Sequence, residues 1–293
     1  LQKEDIDGLV IDLRDNGGGS LQEANELTGL FIEYGPTVQI QHSSKKIWRD
    51  GKRARSPYYN GPLIVIINRL SASASEIFAG AIQDYGRGII VGDRSFGKGT
   101  VQTLIPLKVG QLKITESKFY RVSGGSTQNQ GVIPDIFFPS FYDHEEIGES
   151  ALDNALKWDR ITPIRHRIYN DFSDLLPEIK FRFSARTNSN PEFLLLKEQV
   201  AFAEETRSVK SLSLNADDRS NIKAERDQRA LDIENKRREI KGLELVEDLN
   251  NPEELVDSDV ADQEPDVLLV ESGNILADAI ILPQLTDENY KEP

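Results

Sequence analysis

The sequence predicts an α/β core followed by a mostly α-helical region that ends in an acidic tail. Three observations carry that expectation. Short apolar runs bounded by glycine alternate with helically spaced stripes up to about residue 139. Beyond Pro139, dense charge with helical spacing replaces them. Finally, the net charge of −14 is concentrated at one end: residues 244–293 hold fifteen acids and one base, Lys291, whereas residues 1–243 carry equal numbers of each. At 293 residues the chain exceeds one average domain. The change in composition places the division between a core over 1–145 and a helical domain with its tail over 146–293.

The elements follow in order. Gly8 to Asp12 reads as a buried strand, and the Gly17-Gly18-Gly19 turn leads into a helical pattern from Leu21 to about Glu33. Thr37–Ile40 and Lys46–Arg49 read as exposed strands. Leu63–Ile67 is the most hydrophobic short run of this half and is expected to be the central strand. Ile77, Phe78, Ala81, Ile82 and Tyr85 form the stripe of a packed helix. Strands follow at Gly88–Val91, Val101–Leu107, Gln111–Thr115 and Lys118–Val122. Asn190-Pro191 is an N-cap followed by a proline at the first helical position, starting a helix to about Arg207. A second helix runs from Ser220 to Lys241, with Gly242 as its stop. Val267 to Ile280 fits a last short helix that docks, within a tail otherwise read as a solvated, partly disordered extension.

Composition removes several chemistries. No cysteine means no disulfide, no thiolate zinc site and no cysteine nucleophile. Three histidines, His42, His144 and His166, argue against a histidine-based catalytic or metal cluster, and no cofactor is expected. No run of about 18 apolar residues could form a spanning helix. A neutral body with an acidic tail lacks the basic face that phosphate contacts need, so nucleic acid is not an expected partner. The chain opens on Leu1-Gln-Lys-Glu, with neither an initiator Met nor a signal peptide, and reads as a fragment of a longer parent.

Three segments could carry chemistry. Ser71-Ala-Ser73-Ala-Ser75-Glu76 joins the central strand to the amphipathic helix, where unpaired N–H groups and a positive dipole end would help a developing oxyanion. Its Ser73-x-x-Glu76 spacing is also a capping box worth about 1 kcal/mol, and alone the hexapeptide favours the cap. Gly92 to Thr100 nearly matches a phosphate-binding loop, but Gly99 stands where the metal-holding hydroxyl belongs and a strand pattern follows. What remains is Lys98 between Gly97 and Gly99: a surface lysine, or a base held in a close backbone approach. As a base it must be neutral, which costs on the order of 4 kcal/mol of lost ammonium stabilisation. Third, Asp12 to Ser20 ends a strand in a glycine turn that is either a plain turn or an N–H nest forming half of an oxyanion hole.

Taken together, the order and spacing of these segments closely resemble the C-terminal processing peptidases. The resemblance rests on Ser71–Phe78, Gln83–Gly86, Gly92 with Phe96–Gln102, Leu9–Gly19, Lys118–Gln128 and Gly131–Asp135. It covers about residues 1–140 closely and the remainder more loosely. It implies a crotonase-like core, a Ser73 nucleophile, a Lys98 base 25 residues later, an auxiliary Gln102 and a supporting Asp84. Oxyanion donors would be backbone N–H groups of Gly18 or Gly19 and of Ala74. Strand alternation places Gln102 on the same face as Lys98. A carboxylate beside Lys98 would oppose the neutral amine, so Asp84 is expected to act structurally. The resemblance further implies proteins with apolar C-terminal tails as substrates, an adaptor protein as partner, and a periplasmic location at the inner-membrane face. The family's PDZ module, which captures the substrate C-terminus, has no counterpart in these residues. A non-catalytic scaffold fragment and a Ser–Lys amidase or esterase stay open as alternatives.

Overall fold

The computed structural model describes residues 4–52, 57–251 and 266–289. The chain divides into two compact units, residues 1–180 with 272–293, and residues 181–271.

The first unit is built on a parallel sheet in the order β1 (Leu9–Asp12), β4 (Leu63–Ile67), β5 (Ile89–Gly92), β8 (Ile136–Phe137). All three pairings are parallel. β4 lies inside this sheet and every residue of it is buried, as its unbroken apolar run demands. A second, antiparallel sheet has the order β3 (Ile47–Lys52), β2 (Gly35–His42), β7 (Gln111–Tyr120), β6 (Thr100–Pro106). The segments at 111–115 and 118–122, read as two strands, form the single strand β7 because its pairing to β2 and β6 runs through the join. The 37–40 segment is buried, not exposed: Thr37 to Ile40 face neighbours on both sides within β2.

Between the sheets runs α2 (Ala74–Asp84). Phe78, Ala79 and Ile82 pack against Leu63, Val65, Ile67 and Ile90 of the parallel sheet. Ala74 and Ile77 pack against Val38, Ile40 and Phe119 of the antiparallel one. Residues 74–82 are buried on every side, so the expected apolar stripe is joined by buried polar positions, Ser75 and Glu76, on the remaining face. The preceding helix α1 (Leu21–Thr28) ends at Gly29, earlier than its pattern predicts, and Ser20 caps its start.

The first unit extends past the composition shift because residues 160–170 pair with the core. Gly125 bridges Arg160, Ile164 N–H donates to Val122 C=O at 2.8 Å, and Tyr169 N–H donates to Tyr85 C=O at 2.8 Å. The second unit is helical. α3 (Leu175–Thr187), a helix absent from the sequence reading, crosses from the first unit into it. α4 (Pro191–Ser208) starts at the Asn190 cap as expected. α5 (Ala216–Lys241) stops at Gly242, which is left-handed at φ 66°. Within this unit Phe183 and Phe193 meet edge to face at 5.8 Å, and Lys236 of α5 pairs with Glu198 of α4 at 2.7 Å. The last helix, α6 (Val267–Asn289), is longer than its apolar pattern and contains Pro283. Its residues from 272 onward belong to the first unit, where Ile275 and Leu276 are buried. The rest of the tail, read as solvated, lies largely outside the described residues.

Candidate active site

The site forms where β4 hands the chain to α2. Three serines stand there, and the structure separates them. Ser71 donates its hydroxyl to Leu13 C=O at 2.7 Å, and Ser75 donates to Asn16 C=O at 3.0 Å. Both are spent on the backbone of the glycine turn. Ser73 donates its hydroxyl to no group among the described residues. Its backbone sits at φ 56°, ψ −110°, a conformation natural to glycine as the first central residue of a type II′ turn. Held by a non-glycine residue, such a conformation stores about 1–3 kcal/mol. Glu76 accepts from the Ser73 N–H as in a capping box, so the glutamate half of that box and a half-buried hydroxyl coexist at one residue.

The glycine turn closes on this serine. A Cβ on Gly18 would lie 2.5 Å from Ala72 C=O and 2.8 Å from Ala74 N, at φ +94°, so only glycine fits. Asn16 shapes the approach: its carbonyl accepts from Ala72 N–H at 3.0 Å and its side chain accepts from Gly18 N–H at 3.0 Å. The Gly18 N–H is therefore occupied. Among the described residues, the N–H groups of Gly19 and Ala74 have no acceptor, Ala74 because it opens α2.

Lys98 lies on the loop between β5 and β6. The flanking glycines allow the close backbone approach: a Cβ on Gly97 would meet Asn129 at 2.9 Å, and one on Gly99 would meet Gln128 N at 2.6 Å. Asn129 N–H donates to Gly97 C=O at 2.8 Å, and Gly99 N–H donates to the Gln128 side chain at 2.9 Å. A strand follows at Thr100, where a phosphate loop would need a helix.

One buried carboxylate joins the two halves. Glu76 is fully buried and accepts from Ser73 N–H at 2.8 Å and Lys98 N–H at 2.9 Å through one oxygen. Its other oxygen accepts from Ser95 Oγ at 2.6 Å and Gly97 N–H at 2.7 Å. Burial pushes its pKa up to about 7 against the pull of these four donors. Glu76 and Asn16 shape this junction, and the sequence reading did not assign either to the site. The signals were the capping-box glutamate and an asparagine placed to turn onto the backbone two residues ahead.

The remaining expected residues fall elsewhere. Lys98 Nζ forms no hydrogen bond or ion pair with any described residue, and none joins it to the Ser73 hydroxyl. Gln102 is exposed on β6, and a register shift between Val101 and Gln102 breaks the alternation that would carry it to the face of Lys98. Asp84 ends α2, so the eleven-residue helix puts it roughly 16 Å from Ser73. There it pairs with Arg121, including Nε at 3.1 Å, and accepts from Ser123 Oγ at 3.0 Å. No hydrogen bond or ion pair joins it to Lys98 among the described residues. All three histidines lie outside the site; His144 pairs with Asp93 at 2.9 Å. Among the described residues no group of acids and histidines is arranged to hold a metal.

Comparison with known proteins agrees with this architecture. Residues 1–138 match the model of peptidase family S41, and residues 142–281 match that of the C-terminal domain of tail specific protease (DUF3340). In that order they define a peptidase core joined to its own C-terminal companion domain. Residues 1–138 are thus a peptidase family S41 region, and residues 142–281 carry the companion domain of the tail-specific proteases. It is 40% identical to the tail-specific protease of Haemophilus influenzae over 96% of this chain and 41% of that protein. It is 41% identical to a carboxy-terminal-processing protease of Bartonella bacilliformis over 52% of this chain and 37% of that protein. Among solved structures, the photosystem II D1 C-terminal processing protease is similar at 36% identity and a TM-score of 0.41, covering 49% of this chain and 36% of that one. The chain thus spans about two fifths of the length of the curated relatives it matches.

Proposed function

We propose that this chain is the catalytic part of a serine endopeptidase that works through a Ser73–Lys98 dyad on proteins with apolar C-terminal tails. The observation that carries the reading is Glu76, one carboxylate oxygen of which holds the backbone of both the serine and the lysine. Neutral Lys98 takes the Ser73 proton as the hydroxyl attacks the scissile carbonyl carbon. The oxygen of that carbonyl, now negative, is received by the N–H groups of Gly19 and Ala74, which have no other acceptor among the described residues. Protonated Lys98 then gives its proton to the departing amine, leaving an acyl-enzyme on Ser73. Water, activated by the same amine, releases the acid product. No cofactor or metal takes part in these steps. Asp84 and Gln102 act at a distance, Asp84 by fixing Arg121 at the far end of α2.

On this reading the parent protein works in the periplasm, on protein substrates recognised by their C-termini, with an adaptor as a further partner. No helix among the described residues is long and apolar enough to cross a membrane. The test compares the full-length parent with Ser73→Ala and Lys98→Ala on a protein with an apolar C-terminal tail. Both variants are expected to lose about 10³-fold or more in kcat/KM at unchanged folding. Proteolysis that survives in either one overturns the dyad.

A further inference from the structure

Residues 142–149 run back across both halves of the site. They follow β8 and begin where the match to the companion domain begins, past the 1–138 match to the peptidase family. On the Lys98 side, Glu149 N–H donates to Phe96 C=O at 3.0 Å, and His144 Nε2 meets Asp93 at 2.9 Å. The fully buried Arg69 guanidinium donates to Ile147 C=O and to Ser95 C=O, both at 2.6 Å, and so joins the segment to that loop. On the glycine-turn side Tyr142 makes the connection: its hydroxyl donates to Asp15 Oδ1 at 2.9 Å. We propose that Tyr142 is a positioning residue for the oxyanion turn, acting through Asp15, so that a side chain outside the peptidase match helps aim the Gly19 N–H. The inference rests on the reading of Ser73 as nucleophile and of Gly19 and Ala74 as oxyanion donors.

Asp15 is where such a hold matters. Its backbone is left-handed at φ 60°, a conformation that a residue with a Cβ keeps only when its surroundings fix it. Asn68, directly after β4, supplies one constraint: its Oδ1 accepts from Asp15 N–H at 3.0 Å and its Nδ2 donates to Asp15 Oδ1 at 2.9 Å. Tyr142 supplies a second, on the same carboxylate oxygen, through a hydrogen bond strengthened by charge. The next residue is Asn16, whose C=O accepts from Ala72 N–H and whose side chain accepts from Gly18 N–H. A tilt of the Asp15–Asn16 peptide therefore passes to Gly18 and Gly19 and changes where the Gly19 N–H points. An oxyanion donor helps only when aimed at the place where charge develops, so a small tilt costs rate and leaves substrate binding alone. Burial, with the Asp15 carboxylate beside it, raises the Tyr142 pKa above the ordinary tyrosine value, so the hydroxyl keeps its proton and stays a donor. The Arg69, His144 and Glu149 contacts hold the segment in place without this hydroxyl.

The test uses the full-length parent, a peptide with a free apolar C-terminus, and a peptide aldehyde whose hemiacetal with the Ser73 hydroxyl places an oxygen in the oxyanion site. Tyr142→Phe removes only the hydroxyl. It is expected to lower kcat about tenfold with KM within about twofold, at an unchanged melting temperature. Inhibition by the aldehyde should weaken by the same factor as kcat. Asp15→Gly accepts the left-handed backbone but deletes the carboxylate. The double variant should be no slower than Asp15→Gly alone, because Tyr142 then has nothing to act on. Full turnover in Tyr142→Phe, a loss confined to KM, aldehyde inhibition as tight as in the parent, or additive losses in the double variant each overturn the positioning role. A parent with Tyr142 in place that neither cleaves the peptide nor binds the aldehyde overturns the peptidase reading itself, a failure distinct from that of Tyr142.

Discussion

Ser73 holds a backbone conformation that suits glycine, and that strain has a measurable sign. Ser73→Gly and Ser73→Ala both remove the hydroxyl, but only the first relaxes the turn. The glycine variant is expected to be more stable than the alanine variant by about 1 kcal/mol in chemical denaturation, even after the extra flexibility glycine adds to the unfolded chain. Equal stabilities would mean that the turn is unstrained. Glu76 makes a second prediction. With its folded pKa near 7 against an ordinary 4.5, the folded protein holds this proton more tightly than the unfolded chain. Stability from this group is therefore fully present below about pH 4.5 and is lost as pH rises to about 7. Catalysis runs the other way, since only the carboxylate can accept from all four donors. Glu76→Gln places a donor among donors; it should lower kcat about 10- to 100-fold and erase the inflection near pH 7 from the kcat profile. A profile that keeps the inflection in this variant assigns the titration to another group.

At the level of elements, α2 carries different duties at its two ends. Its N-terminus presents Ser73 and Ala74, and its C-terminus anchors Arg121 through the buried Asp84 carboxylate. Asp84→Asn leaves that guanidinium without its counter-charge, and the expected loss is on the order of 3 kcal/mol, read as a lower melting temperature. Activity per folded molecule should survive, measured by active-site titration; loss of turnover in fully folded protein would move Asp84 into the chemistry. The helical unit has its own check. Asn190 accepts from Glu192 N–H at 2.9 Å and Phe193 N–H at 3.2 Å, so Asn190→Ala should cost about 1 kcal/mol. Part of this layout was legible beforehand: α4 starts at the Asn190 cap and α5 stops at Gly242 as read, whereas α5 starts behind Asn215, one turn ahead of the Ser220 that its pattern suggested. β2 was misjudged because Thr37 and Gln39 look polar, yet Gln39 Nε2 donates to Arg121 C=O and Thr162 C=O, both at 3.2 Å, and those acceptors are far away in sequence.

At the scale of the whole molecule, the acidic end of the chain is not a single kind of segment. Residues 272–289 belong to the compact unit that carries the site, and Leu276 lies so close to Gly8 that an added Cβ there would come within 2.7 Å. Removing residues 272–293 therefore takes the buried Ile275 and Leu276 out of the core, a loss on the order of 3–6 kcal/mol. The truncated protein should melt at a clearly lower temperature by calorimetry. An unchanged melting temperature would show that α6 adds nothing to the fold.

Sequence alone determined the alternation of strands and helices, the junction at Ser73, the glycine-flanked Lys98 and the stops of the long helices. Each of these depends on residues within a few positions of one another, where periodicity, caps and glycine leave a direct trace. Only the tertiary structure decided that Glu76 joins residues 73 and 98, that Gly19 and not Gly18 keeps a free N–H, and that Asp84 stands a helix length from the serine. The same holds for the bulge that disturbs the face of Gln102. These outcomes depend on which distant backbone groups arrive as partners, and one strand's spacing carries no record of its neighbour's register.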